Sequence, residues 1–79
     1  MARNFFNKKL VLDGQEYDGY VIETMVINFQ TDVITINVSY FNRTKHTKTM
    51  RDYVVKVGDE INLMDAINQI HEIHKNITI

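Results

Sequence analysis

The 79-residue chain has no cysteine, no proline, no tryptophan and only three glycines. Without cysteine, neither disulfides nor thiolate metal sites can stabilise the fold. No apolar run approaches the roughly 18 residues that a membrane-spanning helix requires. The N-terminal residues likewise form no apolar stretch long enough for a signal peptide. We therefore expect a cytoplasmic protein without a membrane partner.

Sequence motifs of catalysis are also missing. There is no GxGxxG and no GxxxxGK[ST] motif, and three glycines could hardly build a phosphate-binding loop. Ser39, the only serine, has no histidine and acid at a recognisable spacing, and the carboxylates form no evident pair. A small core leaves little room for the ~300 Å³ pocket typical of small-molecule sites. We therefore predict no enzyme activity, no small-molecule substrate and no cofactor.

Residues 33–57 carry the clearest structural pattern in the chain. Apolar and polar residues alternate from Val33 to Phe41, with one face made of Ile34, Ile36, Val38 and Tyr40. This period of two predicts a half-buried strand. A second strand, from Thr49 to Val57, follows a short polar segment. The two strands predict an antiparallel hairpin.

Two earlier strands and one helix complete the prediction. Lys8 to Leu12 and Gln15 to Gln30 are strand candidates joined by Asp13-Gly14, a pair typical of type I′ hairpin turns. Asn62 to Asn76 is predicted to be a helix capped by Asn62. Its apolar residues share one arc, namely Leu63, Ala66, Ile67, Ile70, Ile73 and Ile77. The chain thus predicts one α+β domain, residues 1–79, with a four-stranded antiparallel meander over 8–57 and the helix on one face of the sheet.

The long second strand is apolar on both faces. Tyr17, Val21 and Met25 alternate with Tyr20, Ile22 and Val26, and Gly19 interrupts the run. A strand of this kind is either covered on both sides or used in a subunit contact. Gly19 indicates a bulge or bend.

Charge is strongly segregated although the net charge is only −1. Residues 1–12 carry +3, 13–40 carry −5, 41–51 carry +4 and 52–79 carry −3. The segment 42–51, called the basic loop below, contains the candidate partner-binding residues Arg43, Lys45, His46, Lys48 and Arg51. Such segregation favours contacts with a second copy or with a charged protein partner. Nucleic acid bound by the basic loop is the alternative, because cations alternate there with hydroxyl and amide groups.

Phe5 and Phe6 are the other candidate partner-binding residues. They lie in a polar, basic setting ahead of the first predicted strand, within an N-terminal segment of residues 1–7. These residues either cap the open end of the sheet or form an arm that inserts into a neighbouring subunit. A chain of this size buries only about 60% of its extended surface, so oligomerisation is a reasonable source of stability.

His71 and His74 are spaced three residues apart on the predicted helix, close enough to share a metal ion. No third ligand is spaced to complete the set, and His74 falls within the apolar arc. We therefore favour packing roles for both and predict no metal site.

The chain is rich in Asn, Ile, Lys and Thr. This amino-acid composition resembles that of small proteins of low-GC bacteria and their phages. Together these features lead to the hypothesis of a non-catalytic interaction or assembly subunit. It would be a phage structural or accessory protein, acting in the host cytoplasm or in the virion. An inhibitor of a host protein is one form of this hypothesis.

Overall fold

The computed structural model describes residues 3–56 and 62–76. Its elements, in chain order, are four strands and one helix: β1 Asn4–Leu12, β2 Gln15–Asn28, β3 Val33–Asn42, β4 Thr47–Lys56 and α1 Leu63–His74. The strands pair antiparallel in the order β1-β2-β3-β4. This architecture confirms the predicted α+β meander with a C-terminal helix. Val57, Gly58-Asp59 and Ile77, which the predictions included, lie outside the described residues.

Strand β1 begins at Asn4, earlier than the predicted start at Lys8. Asn4 pairs with Tyr20 and Phe5 with Gly19, so the segment 4–7 belongs to the sheet and not to an arm. The register then shifts before Leu10 pairs with Tyr17. Because this shift interrupts the alternation of side chains, the sequence pattern of residues 4–7 does not reveal a strand.

The shift in β1 accompanies a bend of the β1–β2 hairpin. Asp13 and Gly14 both have positive φ, 51° and 79°, which confirms the predicted type I′ turn. At this turn, the Asp13 carboxylate lies 3.3 Å from the Arg51 guanidinium of β4. Since β1 and β4 are not neighbours in the sheet, the tip of the hairpin must curl over the face to which Arg51 belongs.

Strand β2 contains a bulge that explains its two apolar faces. Ile22 pairs with Val38 but Thr24 pairs with Asn37, so Glu23 is an extra residue. An extra residue reverses the alternation beyond it. Ile22, Met25 and Ile27 therefore lie on one face, opposite the fully buried residues Val38, Ile36 and Ile34. The strand therefore has apolar residues at both even and odd positions largely because the core face passes from even to odd positions at the bulge.

Helix α1 covers that core face. Asn62 caps the helix as predicted, since its side-chain oxygen accepts a hydrogen bond from the Asp65 backbone N–H at 3.0 Å. The buried seam of the helix consists of Ala66, Ile70 and His74, spaced four residues apart. Ile73, placed by the sequence in the apolar arc, lies beside this seam and is 57% exposed. The helix thus seals one face of the sheet and leaves the other open.

Candidate contact surfaces

The basic loop is organised by Asn42, which is buried at the end of β3. Its side-chain oxygen accepts hydrogen bonds from the backbone N–H groups of Thr44 and Lys45, both at 3.0 Å. Its amide nitrogen donates to the Glu16 carbonyl at 3.0 Å. Asn42 therefore folds the loop and anchors it to β2. An asparagine that starts a turn in this way is a local sequence signal, because its side chain can accept hydrogen bonds from the backbone of the following residues.

Three of the predicted loop cations have carboxylate partners. Arg43 lies 3.7 Å from Asp18, and its backbone N–H also donates to that carboxylate at 2.8 Å. Lys48 lies 3.5 Å from Glu23, and Arg51 pairs with Asp13 as described above. Lys45 is exposed and forms no ion pair within the described part of the chain. The paired cations bind external phosphates less readily, because each carboxylate must first be displaced.

Phe5 belongs to a stack of rings and guanidinium groups beside the loop. The Phe5 ring meets the Phe41 ring edge-on, with centroids 5.8 Å apart. Arg43 lies 4.4 Å from the Phe5 centroid, and Arg3 lies 5.2 Å from the Phe41 centroid. Cation–π contacts of this kind fix the guanidinium groups at one end of the sheet. Phe5 therefore joins the predicted basic residues in one surface.

Phe6 points the other way and is a core residue. It is buried and stacks on the rings of Tyr20, Tyr40 and His74, with centroids 5.7 to 6.4 Å apart. Neighbouring residues of a strand face opposite sides of a sheet, which separates Phe6 from Phe5. Its prediction as a partner-binding residue therefore needs correction: within this fold Phe6 stabilises the contact between sheet and helix.

His74 lies at the centre of this buried cluster. Its Nδ1 atom is 2.8 Å from the Ile70 carbonyl oxygen, which can only accept, so Nδ1 carries the proton. Its Nε2 atom, 2.7 Å from the Tyr40 hydroxyl oxygen, therefore accepts a hydrogen bond from that hydroxyl group. The Tyr53 hydroxyl in turn donates to the Tyr40 oxygen. The chain of donors therefore runs from Tyr53 through Tyr40 to a neutral His74.

The pKa values agree with this arrangement. Burial lowers the pKa of His74 below its usual value, an effect that nearby His71 reinforces and the Ile70 carbonyl partly offsets. Burial also raises the pKa of Tyr40 well above its usual value, and the neighbouring Tyr53 side chain raises it further. Both side chains are thus held neutral in the core.

His71 has a similar structural role at the margin of the cluster. Its Nδ1 atom lies 2.6 Å from the Tyr20 hydroxyl, and the Tyr20 ring stacks on His74 with centroids 4.3 Å apart. Within residues 3–56 and 62–76, no group of three histidine or acidic side chains is placed to hold a metal ion. Both histidines instead join the helix to tyrosines of the sheet.

The side of the sheet opposite α1, called the open face below, presents rows of residues across β2, β3 and β4. The register defines three of these rows: Val21–Ser39–Met50, Thr24–Asn37–Asp52 and Val26–Thr35–Val54. Val26 and Val54 are 64% and 69% exposed. In the central row the Asn37 amide donates to the Asp52 carboxylate at 2.9 Å. The open face thus alternates two partly apolar rows with a polar one.

A depression of about 450 Å³ lies on the open face beside the basic loop. Arg3, Arg43, Lys48 and Glu23 contribute its charged groups, and Phe41 and Ser39 also line it. Ser39 is completely buried, and its hydroxyl has no hydrogen-bond partner among the described residues. Three predicted residues, Arg43, His46 and Lys48, border the depression, whereas Lys45 and Arg51 do not.

Arg3, Glu23 and Ser39 were not predicted as site residues. Arg3 directly precedes β1, and Glu23 and Ser39 lie in β2 and β3, so only the pairing of the strands brings them together. No local sequence signal could have identified this group.

Comparison with protein-family models, with curated proteins and with solved structures finds no match to the chain. In the described part of the chain, no helix is long and apolar enough to cross a membrane.

Proposed function

We propose that the protein is a non-catalytic assembly subunit that binds a second copy of itself through the open face. The observation that carries this proposal is the pair of partly apolar rows on a sheet face that α1 does not cover. Val26 and Val54 lie in one of these rows and Met50 in the other, and all three side chains are more than half exposed. Exposed apolar residues grouped on one face are typical of protein contact sites.

The dimensions of the open face suit a dimer. The molecule measures 42 × 21 × 20 Å, so a face formed by its two longer dimensions covers on the order of 800 Å², about what a standard interface buries on each partner. Two such faces can pack as aligned sheets about 10 Å apart, with side chains of the two faces interdigitating. The helices would then form the outer layers of a four-layer assembly.

One polar pair of the face keeps its hydrogen bond in such an interface, whereas Asn37 Oδ1, which has no hydrogen-bond partner among the described residues, needs a donor from the second copy. Asp52, the acidic residue of the central row, already accepts a hydrogen bond from Asn37. The cations of the depression lie at one end of the face, beside the basic loop. They are therefore at the rim of the contact, where charge affects partner choice more than affinity.

Light scattering on the purified protein tests the proposal directly. We expect a mass near twice the 9.3 kDa of the chain, both at about 50 mM and at about 500 mM salt, because apolar contacts are not weakened by screening. Val54→Glu should convert the dimer to a monomer, since it replaces an apolar side chain of one of the two rows with a charge. Val54 is exposed in the single chain, so the variant should still fold.

Val11→Glu is the matched control. Val11 is a similarly exposed valine, 58% against 69%, but it belongs to none of the three rows and lies near the tip of the β1–β2 hairpin. We expect this variant to remain dimeric. A monomer at both salt concentrations, or a dimer that tolerates Val54→Glu, would contradict the proposal and direct the search to a different protein partner.

A further inference from the structure

We propose that the depression beside the basic loop is a binding site for a phosphate monoester. This site goes beyond self-assembly, because it does not require a second copy of the chain. The inference rests on three observations: a buried hydroxyl without a partner, an excess of positive charge, and a bulge that places a carboxylate at the edge of the site.

Ser39 supplies the first observation. A buried hydroxyl without a partner costs free energy, because it has lost its hydrogen bonds to water without replacing them. The Ser39 hydroxyl is such a group, and its residue lines the depression. Cationic side chains surround it, including Lys48, whose side chain is 56% exposed. An oxyanion that enters between these side chains would accept a hydrogen bond from the Ser39 hydroxyl group.

The charges indicate the sign of the ligand. Arg3, Arg43 and Lys48 line the depression together with one carboxylate, that of Glu23. The nearby Asp18 also pairs with Arg43. The three cations therefore exceed these two carboxylates by one charge. Arg3 has no carboxylate within ion-pair distance among the described residues, so it is available to a bound anion.

The bulge in β2 connects Glu23 with the site. Bulges turn a side chain away from the regular alternation and are common beside functional sites. Here the inserted residue is Glu23, whose carboxylate lies 3.5 Å from the Lys48 ammonium group. Glu23 thus holds Lys48 at the depression and competes with any anion that binds there. A ligand must displace this carboxylate, which favours an anion carrying more than one negative charge.

Phosphate monoesters meet this requirement better than carboxylates. A phosphate monoester carries about −1.5 to −2 charges at neutral pH and offers three terminal oxygens as acceptors. Two guanidinium groups, one ammonium group and the Ser39 hydroxyl surround the depression, more donors than a two-oxygen carboxylate can use. The volume of about 450 Å³ also exceeds the needs of a single carboxylate and lies within the range of small-molecule sites.

Titration with inorganic phosphate, followed by amide chemical shifts in NMR spectra, tests the site. We expect saturable shifts at Ser39, Phe41 and Lys48, and weaker effects of acetate at equal ionic strength. Lys48→Gln and Ser39→Ala should each weaken phosphate binding about tenfold, because each removes a hydrogen bond to a charged ligand. Glu23→Gln should strengthen binding roughly threefold, because it removes a competing carboxylate at a partly exposed position.

Lys45→Gln is the matched control for Lys48→Gln. Lys45 belongs to the same loop and carries the same charge but does not line the depression. It should change phosphate affinity less than about twofold, because interactions between exposed charges are weak. Equal losses for the two variants would show that phosphate responds only to the general charge of the loop, which would overturn the proposal. Ser39→Ala should leave stability unchanged or raised, so loss of binding could not be attributed to unfolding.

Two further probes identify the source of the phosphate group. Adenosine 5′-monophosphate represents small phosphorylated metabolites, and a phosphoserine peptide represents a modified protein. Binding of either at least tenfold tighter than inorganic phosphate supports the site and assigns its source. The absence of saturable binding by inorganic phosphate and by both probes would overturn the proposal. The same titrations are repeated on Val54→Glu, the variant that should be monomeric and that is altered at the other end of the open face. Phosphate binding by this variant separates the test of the binding site from the test of dimerisation.

Discussion

Gly19→Ala should detach the start of β1 from the sheet. A Cβ atom at this position would lie 2.2 Å from the Asn4 carbonyl oxygen and 2.9 Å from the Phe41 ring. The first of these neighbours is backbone, which cannot rotate away. Ordinary contact needs about 3.4 Å, so the two strands must separate by roughly 1 Å. Glycine is required here for close approach of the strands, and the register of β1 and β2 shifts directly after the Phe5–Gly19 pair, in agreement with the bulge or bend predicted at this residue.

The cost of this separation follows from what β1 contributes. The pairing of Asn4 and Phe5 with β2 would be weakened, at about 1 kcal/mol for each hydrogen bond lost. Phe6 follows directly in the chain and would lose part of its burial, whose complete loss costs about 3–5 kcal/mol. We expect a total destabilisation of about 2–4 kcal/mol, a large share of the stability of a small domain.

Urea unfolding followed by circular dichroism measures this loss, and hydrogen exchange should show that protection falls first in β1. Gly14→Ala is the control. Gly14 has a φ of +79°, but a Cβ there would meet no atom within 4 Å. Only the cost of a left-handed backbone, about 1–2 kcal/mol, should then appear. If Gly19→Ala is no more destabilising than Gly14→Ala, the close approach of β1 and β2 is refuted.

Three further predictions concern buried polar groups. Burial lowers the pKa of His74 in the folded protein, so the unfolded chain takes up a proton at this histidine first as the pH falls. The contribution of His74 to the free energy of unfolding should therefore be complete above about pH 6.5. It should decrease by up to about 1.4 kcal/mol per pH unit between about pH 6.5 and the lower pKa of the folded state. Urea midpoints from pH 7.5 to 5 should show this decline, and its persistence in His74→Phe would assign it to another group. Tyr40→Phe should cost about 1–3 kcal/mol in the same assay, since it removes the hydrogen bonds that the Tyr40 hydroxyl forms with His74 Nε2 and with the Tyr53 hydroxyl. Tyr53→Phe removes only one of these two hydrogen bonds and should cost less. Asn42→Ala should increase hydrogen exchange at residues 44 and 45 without releasing β1, and unchanged exchange there would refute its role in folding the loop.

The predictable parts of this fold depend on short-range patterns. Asp13-Gly14 specifies its turn through two positive φ angles, and Asn62 specifies the start of α1 through one side-chain hydrogen bond. The alternation in β3 also identifies the core face, because the strand is regular along its whole length. Each of these features involves residues close together in the chain.

The unpredicted parts depend on contacts between distant segments. The bulge at Glu23 becomes visible only when β2 is aligned with β3, and it changes which apolar residues share a face. Phe6 becomes a core residue because Tyr20, Tyr40 and His74 assemble around it from three other elements. The depression has the same origin, since its cations and its serine come from segments that are far apart in the chain. The segregation of charge predicted the basic loop as a contact surface. It did not predict the ion pairs that the cations of this loop form with carboxylates of the β1–β2 hairpin.

The position of His74 near the end of the chain has a consequence for the order of folding. The four strands can pair progressively as they are synthesised, because every sheet contact joins neighbours along the chain and closes only a short loop. The hydrogen-bond acceptor for the Tyr40 hydroxyl, however, is His74, which lies in the last turn of α1. A nascent chain that ends before residue 62 can therefore form hairpins but leaves the tyrosines of the sheet facing water. Cooperative stability is acquired only when the helix arrives, so premature termination should yield a protease-sensitive fragment and not a smaller stable domain.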